Sequence, residues 1–488
     1  MGSVPVLPTG SPQELASVLE TSVMQLRAWV ANEDPAGPPD GAIGSSAARQ
    51  EHRKARDRAT AQLDALVTDY QTTGRAVSVS FRSLVGPLPA SDLTHSVHPY
   101  PARLLRQVPR FFLACRQLAE PGDLVLDPFC GSGTVLVEAA AAGLDAWGVD
   151  ANPFARLLSE VKVKPLGTNE LLMSLDRCIA DAKRRRGHCD AEVVNADLWF
   201  SLPVQSVLGR FAVATRRSTI EASHRRFLML TLSLAADRLS LRDRRIPVPV
   251  RAKDATVRSA AQSTVGAWHE LRAAGVWIAE RIGSLAASSS GEVWVAGSDA
   301  RTLLSTRRKL KLAAPRLIIT SPPYGSAQKY IRSSSLSLGW LGLAEPGDLS
   351  SLERGSIGRE HISRAELGQF PVTGVPAVDD VVAQIASRDS VRGAIYANYF
   401  VDMAVSMREM HSVSSDGAHL VLVVGPNTVA GEPLATHEHV SSLATNAGFE
   451  LQLELVDQIR GRSLMTKRAT TAGAPIHVEH IYLFRKPS

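Results

Sequence analysis

Cysteine is scarce: four among 488 residues, at Cys115, Cys130, Cys178 and Cys189, with no CxxC pair. That scatter argues against a disulfide framework and against a cysteine-ligated structural zinc site. No apolar run approaches the length of about 18 residues that a membrane-spanning helix requires, so none is expected. The N-terminus also lacks a basic segment followed by an apolar core, so no secretory signal is expected. These absences point to the cytosol.

What the chain does have is the composition of a soluble globular protein, 44% hydrophobic and 21% charged. Its length suits several domain-sized units or one elaborated α/β domain with insertions. The net charge of +6 is unevenly spread. Between Asp181 and Ala260 stand sixteen Lys or Arg against eight Asp or Glu, and the remainder is slightly acidic. A basic stretch confined to one segment suits a polyanion-binding surface, although a solvated helical face has the same composition.

Residues 11–32 have helical spacing, with Ser11 and Pro12 as cap and first-turn proline. A Pro/Gly/Ala/Asp-rich linker follows over about 33–46, then a charged helix from about Ala47 to Tyr70. From Val77 onward short apolar runs alternate with helical stretches. They are 124–126, 146–149, 293–295, 317–319, 419–424, 451–456 and 480–484. Seven strands in that alternation predict a mostly parallel, doubly wound sheet. The last two have no helix between them and predict an antiparallel hairpin at one edge. Two long interruptions, roughly 165–290 and 325–395, predict functional loops or subdomains. The expected organisation is an N-terminal helical region (1–76), a first part of the catalytic domain (77–164), a basic, mostly helical insertion (165–290) and a second part (291–488).

The chemistry concentrates at strand ends. Asp127-Pro128-Phe129-Cys130-Gly131-Ser132-Gly133-Thr134 follows the first strand and opens a helix. Glycines there let backbone approach a ligand, and the helix start offers free N–H groups. A dinucleotide fingerprint needs a third glycine at position 136, where this chain has Leu136. Asp150, followed by Ala151 and Asn152, ends the second strand and can hold ribose hydroxyls. Asp299, followed by Ala300, ends the third and can accept from an adenine amino group. Thr320-Ser321-Pro322-Pro323-Tyr324 ends the fourth. Proline has no N–H, so that loop offers carbonyl oxygens, a hydroxyl and an aromatic face. Locally this is equally a strand followed by a proline turn, but its place on the same sheet edge as the other three favours a ligand site.

The Asp127–Thr134 turn and the later Thr320–Tyr324 loop together resemble the amino-methylating DNA methyltransferases. These enzymes use S-adenosylmethionine to modify cytosine N4 or adenine N6. The upstream segment Thr94-His95-Ser96-Val97-His98-Pro99-Tyr100-Pro101-Ala102-Arg103 looks like the one that closes over the methionine end of the cofactor, with Arg103 where Lys is common. Residues 328–332, 338–342 and the final strand with Glu479 are also similar. The resemblance covers about Val77 to Lys486 without most of 165–290. It implies a Rossmann-like class I methyltransferase fold. It further implies a cofactor site at Thr94, His95, His98, Pro99, Tyr100, Asp127 to Thr134, Asp150 to Asn152, Asp299 and Ala300. His95 and His98 are not expected to hold a metal, because Pro99 and Pro101 forbid a regular helix there.

The resemblance also implies a mechanism. The Ser321 hydroxyl and Pro322 carbonyl would accept the protons of a flipped base's amine, and Tyr324 would stack on its ring, with Pro323 stiffening the loop. Ser at position 321 favours cytosine N4 over adenine N6. Double-stranded DNA is the implied partner, contacted by Arg184, Arg185, Arg186, Arg225, Arg226, Arg244 and Arg245. The loop containing Arg462 and Lys467 is a second candidate. A cognate restriction or defence protein, and a nucleoid location through DNA, are expectations from the family alone. The alternatives are an RNA amino-methyltransferase, a non-catalytic nucleic-acid binder and a nicotinamide-dependent oxidoreductase. The last is weakened by Leu136.

Overall fold

A computed structural model describes residues 46–88, 93–185, 193–286, 291–325, 329–345, 349–458 and 478–488. The expected helix over 11–32, nearly all of the linker, and Arg186, Gln328, Arg462 and Lys467 lie outside these residues. The charged helix is present as Ser46–Thr73.

The strands are β1 (Val77–Val79), β2 (Leu124–Asp127), β3 (Asp145–Gly148), β4 (Val293–Val295), β5 (Leu317–Thr320), β6 (His419–Val424), β7 (Asn427–Val429), β8 (Glu432–Leu434), β9 (Glu450–Gln458) and β10 (Val478–Arg485). Eight of them form one sheet in the order β1-β9-β10-β6-β5-β2-β3-β4. Pairing is parallel from β6 to β4, while β10 runs antiparallel to both β6 and β9. The architecture is therefore the expected mixed α/β one, with one strand more than the seven expected.

The extra strand is β1, three residues that pair parallel with β9, Val77 opposite Leu455. So short a run has no period of its own, and only the distant partner makes it a strand. The C-terminal hairpin forms, but not as a free edge: β10 is inserted between β9 and β6, and β1 covers β9. A separate two-stranded ribbon, β7 with β8, also went unanticipated.

Burial explains why the central strands read so clearly. All four residues of β2 and all four of β5 are buried. Alternate side chains go to opposite faces, as a pleat requires. Leu126, Ile318, Leu420 and Leu422 join the apolar layer on one face of the sheet, and Val125, Leu317, Ile319, Val421 and Val423 the layer on the other. Both faces are covered, so the strands are continuous apolar runs rather than alternating ones.

The long interruption after 165 is helical where it is described. Helices Thr168–Arg184, Leu202–Arg217, Ala222–Leu239 and Thr264–Ala286 share one apolar cluster with Phe154, Leu157 and Leu158 of helix Pro153–Val163 and with Leu338 and Trp340. They are thus packed onto the helices that flank the strand ends. From β2 the chain runs outward through β3 and β4 in one direction and through β5 and β6 in the other. The reversal point lies between the carboxyl ends of β2 and β5, where ligands of such sheets bind.

Gly291 shows how tightly β4 is docked. A Cβ there would lie 2.1 Å from the Leu144 carbonyl oxygen, a backbone atom with little freedom to move. Gly291→Ala is expected to lower stability by about 1–3 kcal/mol, read as a lower urea midpoint with an unchanged slope.

Candidate active site

The turn after β2 is built by two left-handed glycines, Gly131 at φ 49° and Gly133 at φ 74°. Gly133 sits at the start of helix Thr134–Ala141, and a Cβ on it would lie 2.8 Å from Ser159 Oγ of helix Pro153–Val163. Close approach of that helix is therefore what the second glycine permits. Leu136, in place of a third glycine, is fully buried against Gly148, where a Cβ would lie 2.5 Å from its Cδ1. The departure from the dinucleotide pattern is a packing exchange: the leucine occupies the space left by a glycine on β3.

Asp127 is buried at the end of β2. Its Oδ1 accepts from Thr320 Oγ1 at 2.7 Å and from the Phe129 N–H at 3.1 Å. Burial pushes its carboxyl up to about 7 against the pull of those two bonds. Asp150 accepts from the N–H groups of Gly131 and Asn152, each at 2.8 Å, and burial raises its pKa too. Asn152 caps helix Pro153–Val163 through the Phe154 N–H at 3.0 Å and donates to Ser334 Oγ at 3.0 Å. Asp299 caps the turn Ala300–Thr302 and is bridged by Arg301, whose Nη1 reaches Asp402 at 2.8 Å. Those two carboxylate bonds raise the Arg301 pKa.

The proline loop is pinned at its far end. Pro323 O accepts from Tyr399 Oη at 2.8 Å, and Tyr324 O accepts from Asn427 Nδ2 at 2.9 Å. Ser321 Oγ and the Tyr324 hydroxyl lie 3.2 Å apart, and burial holds the phenol well above its usual range.

One pocket gathers most of the expected residues: Tyr100, Asp127 to Ser132, Thr134, Asp150 to Asn152, Asp299, Ala300, Ser321 and Pro323. Carboxylates at the ends of β3 and β4, with turn N–H groups between them, are a donor and acceptor set that fits a nucleoside bearing an amino-acid tail. Gly133, Pro322 and Tyr324 adjoin the pocket in sequence without lining it, and Thr94, His95, His98 and Pro99 do not line it either, His98 and Pro99 facing a neighbouring cavity instead. His95 Nε2 bonds Glu138 at 2.8 Å, while His98 bonds Pro99 O at 2.7 Å and Ser233 Oγ at 3.0 Å. Burial lowers the pKa of both rings. The geometry gives both rings hydrogen bonds within the chain.

Tyr330, from the 328–332 stretch noted in the sequence, lines the pocket, but the segment 353–360 beside it, including Glu353, Arg359 and Glu360, was not anticipated. Lys329 meets Glu360 at 3.0 Å, and Arg301 Nη2 donates to Gly355 O at 3.1 Å. The only signal was the length of the 325–395 interruption.

The basic residues proposed for DNA are mostly engaged within the chain. Arg184 and Arg185 pair with Asp181, Arg226 with Glu160 at 2.6 Å, Arg244 with Asp237 and Arg245 with Asp243. Arg225 donates to the Ser218 carbonyl at 3.0 Å.

The raised carboxyl of Asp127 has a signed consequence. The folded state holds this proton more tightly than the unfolded chain, so its contribution to stability declines as pH rises from about 4 toward about 7. Asp127→Asn keeps an oxygen for Thr320 and Phe129 but cannot ionise. Relative to wild type, the variant is expected to gain stability across that window. A difference that stays constant with pH, measured by urea unfolding at each pH, would refute the assignment.

Residues 90–160 match the family model described as DNA methylase. Over 406 residues the chain is 24% identical to the type II methyltransferase M.MvaI of Kocuria varians, spanning 78% of this chain and 87% of that protein. A local match of 36% identity over 77 residues, 16% of this chain and 14% of the other, is to M.MjaII of Methanocaldococcus jannaschii. Among solved structures, the rRNA methyltransferase aviRa of Streptomyces viridochromogenes aligns with TM-score 0.31 and 14% identity over 83% of this chain and 96% of that one. A SAM-dependent methyltransferase of Methanosarcina mazei aligns with TM-score 0.26 and 10% identity over 76% and 96%. At those scores neither structure bears on the argument. The family match over 90–160 and the long alignment to a type II enzyme uphold the resemblance to the amino-methylating DNA methyltransferases, a family whose cofactor is S-adenosylmethionine.

Proposed function

We propose that the chain is a type II DNA methyltransferase that methylates the exocyclic amine of a flipped base, cytosine N4 in preference to adenine N6. The observation that carries this reading is the shared pocket: the glycine turn and Ser321 line one cavity, joined by the Thr320–Asp127 hydrogen bond. Bound there, S-adenosylmethionine would supply an activated methyl group on its sulfonium. The chain's own residues do the rest. Asp150 has acceptor capacity left for ribose hydroxyls after its two backbone bonds, and Asp299 faces the same pocket. The Ser321 hydroxyl and the Pro322 carbonyl would take the amine's protons as the methyl arrives, returning the nitrogen lone pair from the ring.

The pinning bonds support that role. Pro323 O and Tyr324 O are engaged by Tyr399 and Asn427, while among the described residues no bond uses Pro322 O. Holding the loop in place before reaction reduces the reorganisation needed in the transition state. Tyr324 stands beside Ser321 and would offer its ring to the flipped base. Ser321 itself is the residue that favours cytosine. Of the paired arginines, Arg184 and Arg245 are the most exposed and remain within reach of a phosphate, because exposed ion pairs contribute only about 0–1 kcal/mol.

Expression in a host without modification enzymes, followed by polymerase-kinetic sequencing, is expected to show 4-methylcytosine at a fixed sequence. 6-Methyladenine instead would overturn the base preference, and unmodified DNA with methylated RNA would overturn the DNA reading. Tyr324→Ala is expected to lower methylation roughly ten- to hundredfold through lost stacking, with cofactor affinity nearly unchanged by calorimetry.

A further inference from the structure

Lys162 is fully buried in helix Pro153–Val163, at 1% exposure, and nothing in the proposed reaction uses it. Its Nζ donates to the Ser132 carbonyl at 2.5 Å. Among the described ion pairs none includes it, although Glu138 lies near enough to favour its charge. Burial and the neighbouring Arg103 instead push the ammonium down to about 7. An ammonium held in such a place needs a compensating role, because burying one with only partial pairing is costly.

One turn earlier on the same helix, Ser159 Oγ donates to the Gly131 carbonyl at 2.9 Å. Residues three apart share a helix face, so this face grips two successive carbonyls of the glycine turn from behind. The other peptide groups of the turn are accounted for. Cys130 N–H goes to Val149 O at 2.9 Å, Gly131 N–H to Asp150 and Gly133 N–H to Cys130 O at 2.7 Å. Among the described residues the Ser132 N–H has no partner, nor do the first N–H groups of the helix that starts at Thr134, and both Ser132 and Thr134 line the pocket. A carbonyl drawn to one side of a peptide plane turns the N–H of that plane to the other. Drawing the Gly131 carbonyl toward Ser159 therefore turns the Ser132 N–H away from that helix.

We propose that Ser159 and Lys162 are positioning residues that set the glycine turn for the cofactor's amino-acid end: Ser159, through the Gly131 carbonyl, aims the Ser132 N–H at its carboxylate, and Lys162, through the Ser132 carbonyl, fixes the next peptide of the turn. The inference rests on the cofactor reading above and adds to it which residues prepare the turn and which part of the ligand they serve. Arg103 lines the pocket and donates to the His95 carbonyl at 2.7 Å. Ser159 and Lys162 touch no ligand themselves and act only through the turn.

Calorimetry with two ligands separates this role from a merely structural one. S-adenosylmethionine carries the amino-acid end; 5′-methylthioadenosine has the same adenosine and sulfur without it. Lys162→Met is expected to weaken S-adenosylmethionine by roughly tenfold or more while leaving methylthioadenosine within about twofold. Ser159→Ala, which removes one hydroxyl and keeps the packing, is expected to shift the ratio of the two affinities in the same direction. It keeps the test decisive if Lys162→Met does not fold. Equal losses for both ligands, or no loss for either, would overturn the inference alone. Wild-type protein that binds neither ligand would overturn the cofactor reading along with it.

Discussion

The hydrogen bond from Thr320 to Asp127 joins the two halves of this site. It spans the reversal point of the sheet, where β2 and β5 lie side by side and their following loops diverge. A parallel sheet gives each strand end a separate loop, and nothing in the strand pairing itself fixes how two such loops sit relative to one another. A buried carboxyl shared between them does. Because Asp127 is out of water, breaking this contact would leave a polar group unsatisfied, which costs about 1–3 kcal/mol. Methyl transfer needs that constraint, since donor and acceptor must meet within a few tenths of an ångström.

Charge in the pocket is layered. Carboxylates front one side of it, at Asp150 and Asp299, each held by bonds within the chain. Basic groups flank the glycine turn: Lys162 holds its Ser132 carbonyl from behind, and Arg103 lines the pocket. A zwitterionic ligand with hydroxyls and a purine at one end and a carboxylate at the other would meet its complement at each. On the outer surface the insertion's arginines are mostly matched with nearby acids.

Legibility in the sequence followed how local each feature is. The runs that became β2, β5 and β6 were readable because burial on both faces makes them continuously apolar. The glycine turn was readable because Gly131 and Gly133 occupy backbone space closed to other residues. β1 was not, since three residues acquire strand identity only from β9, more than 370 positions away in sequence. The 353–360 wall was not either. It is placed by Gly358 settling onto Gly325, where a Cβ would lie 2.7 Å from the Gly325 carbonyl oxygen, and by the Lys329–Glu360 pair. Neither contact leaves a periodic trace. His95 and His98 were legible as important but not as to role: their partners, Glu138 and Ser233, come from other elements.

The central claim is that one pocket holds the methyl donor next to the amine-accepting loop. A crystal structure with S-adenosylhomocysteine tests it most directly. The account predicts the adenosine between Asp150 and Asp299, the carboxylate at the Ser132 N–H, and the sulfur facing Ser321 with room for a methyl and an amine between. Adenosine bound elsewhere, or a sulfur turned away from Ser321 with the Thr320–Asp127 bond intact, would contradict it.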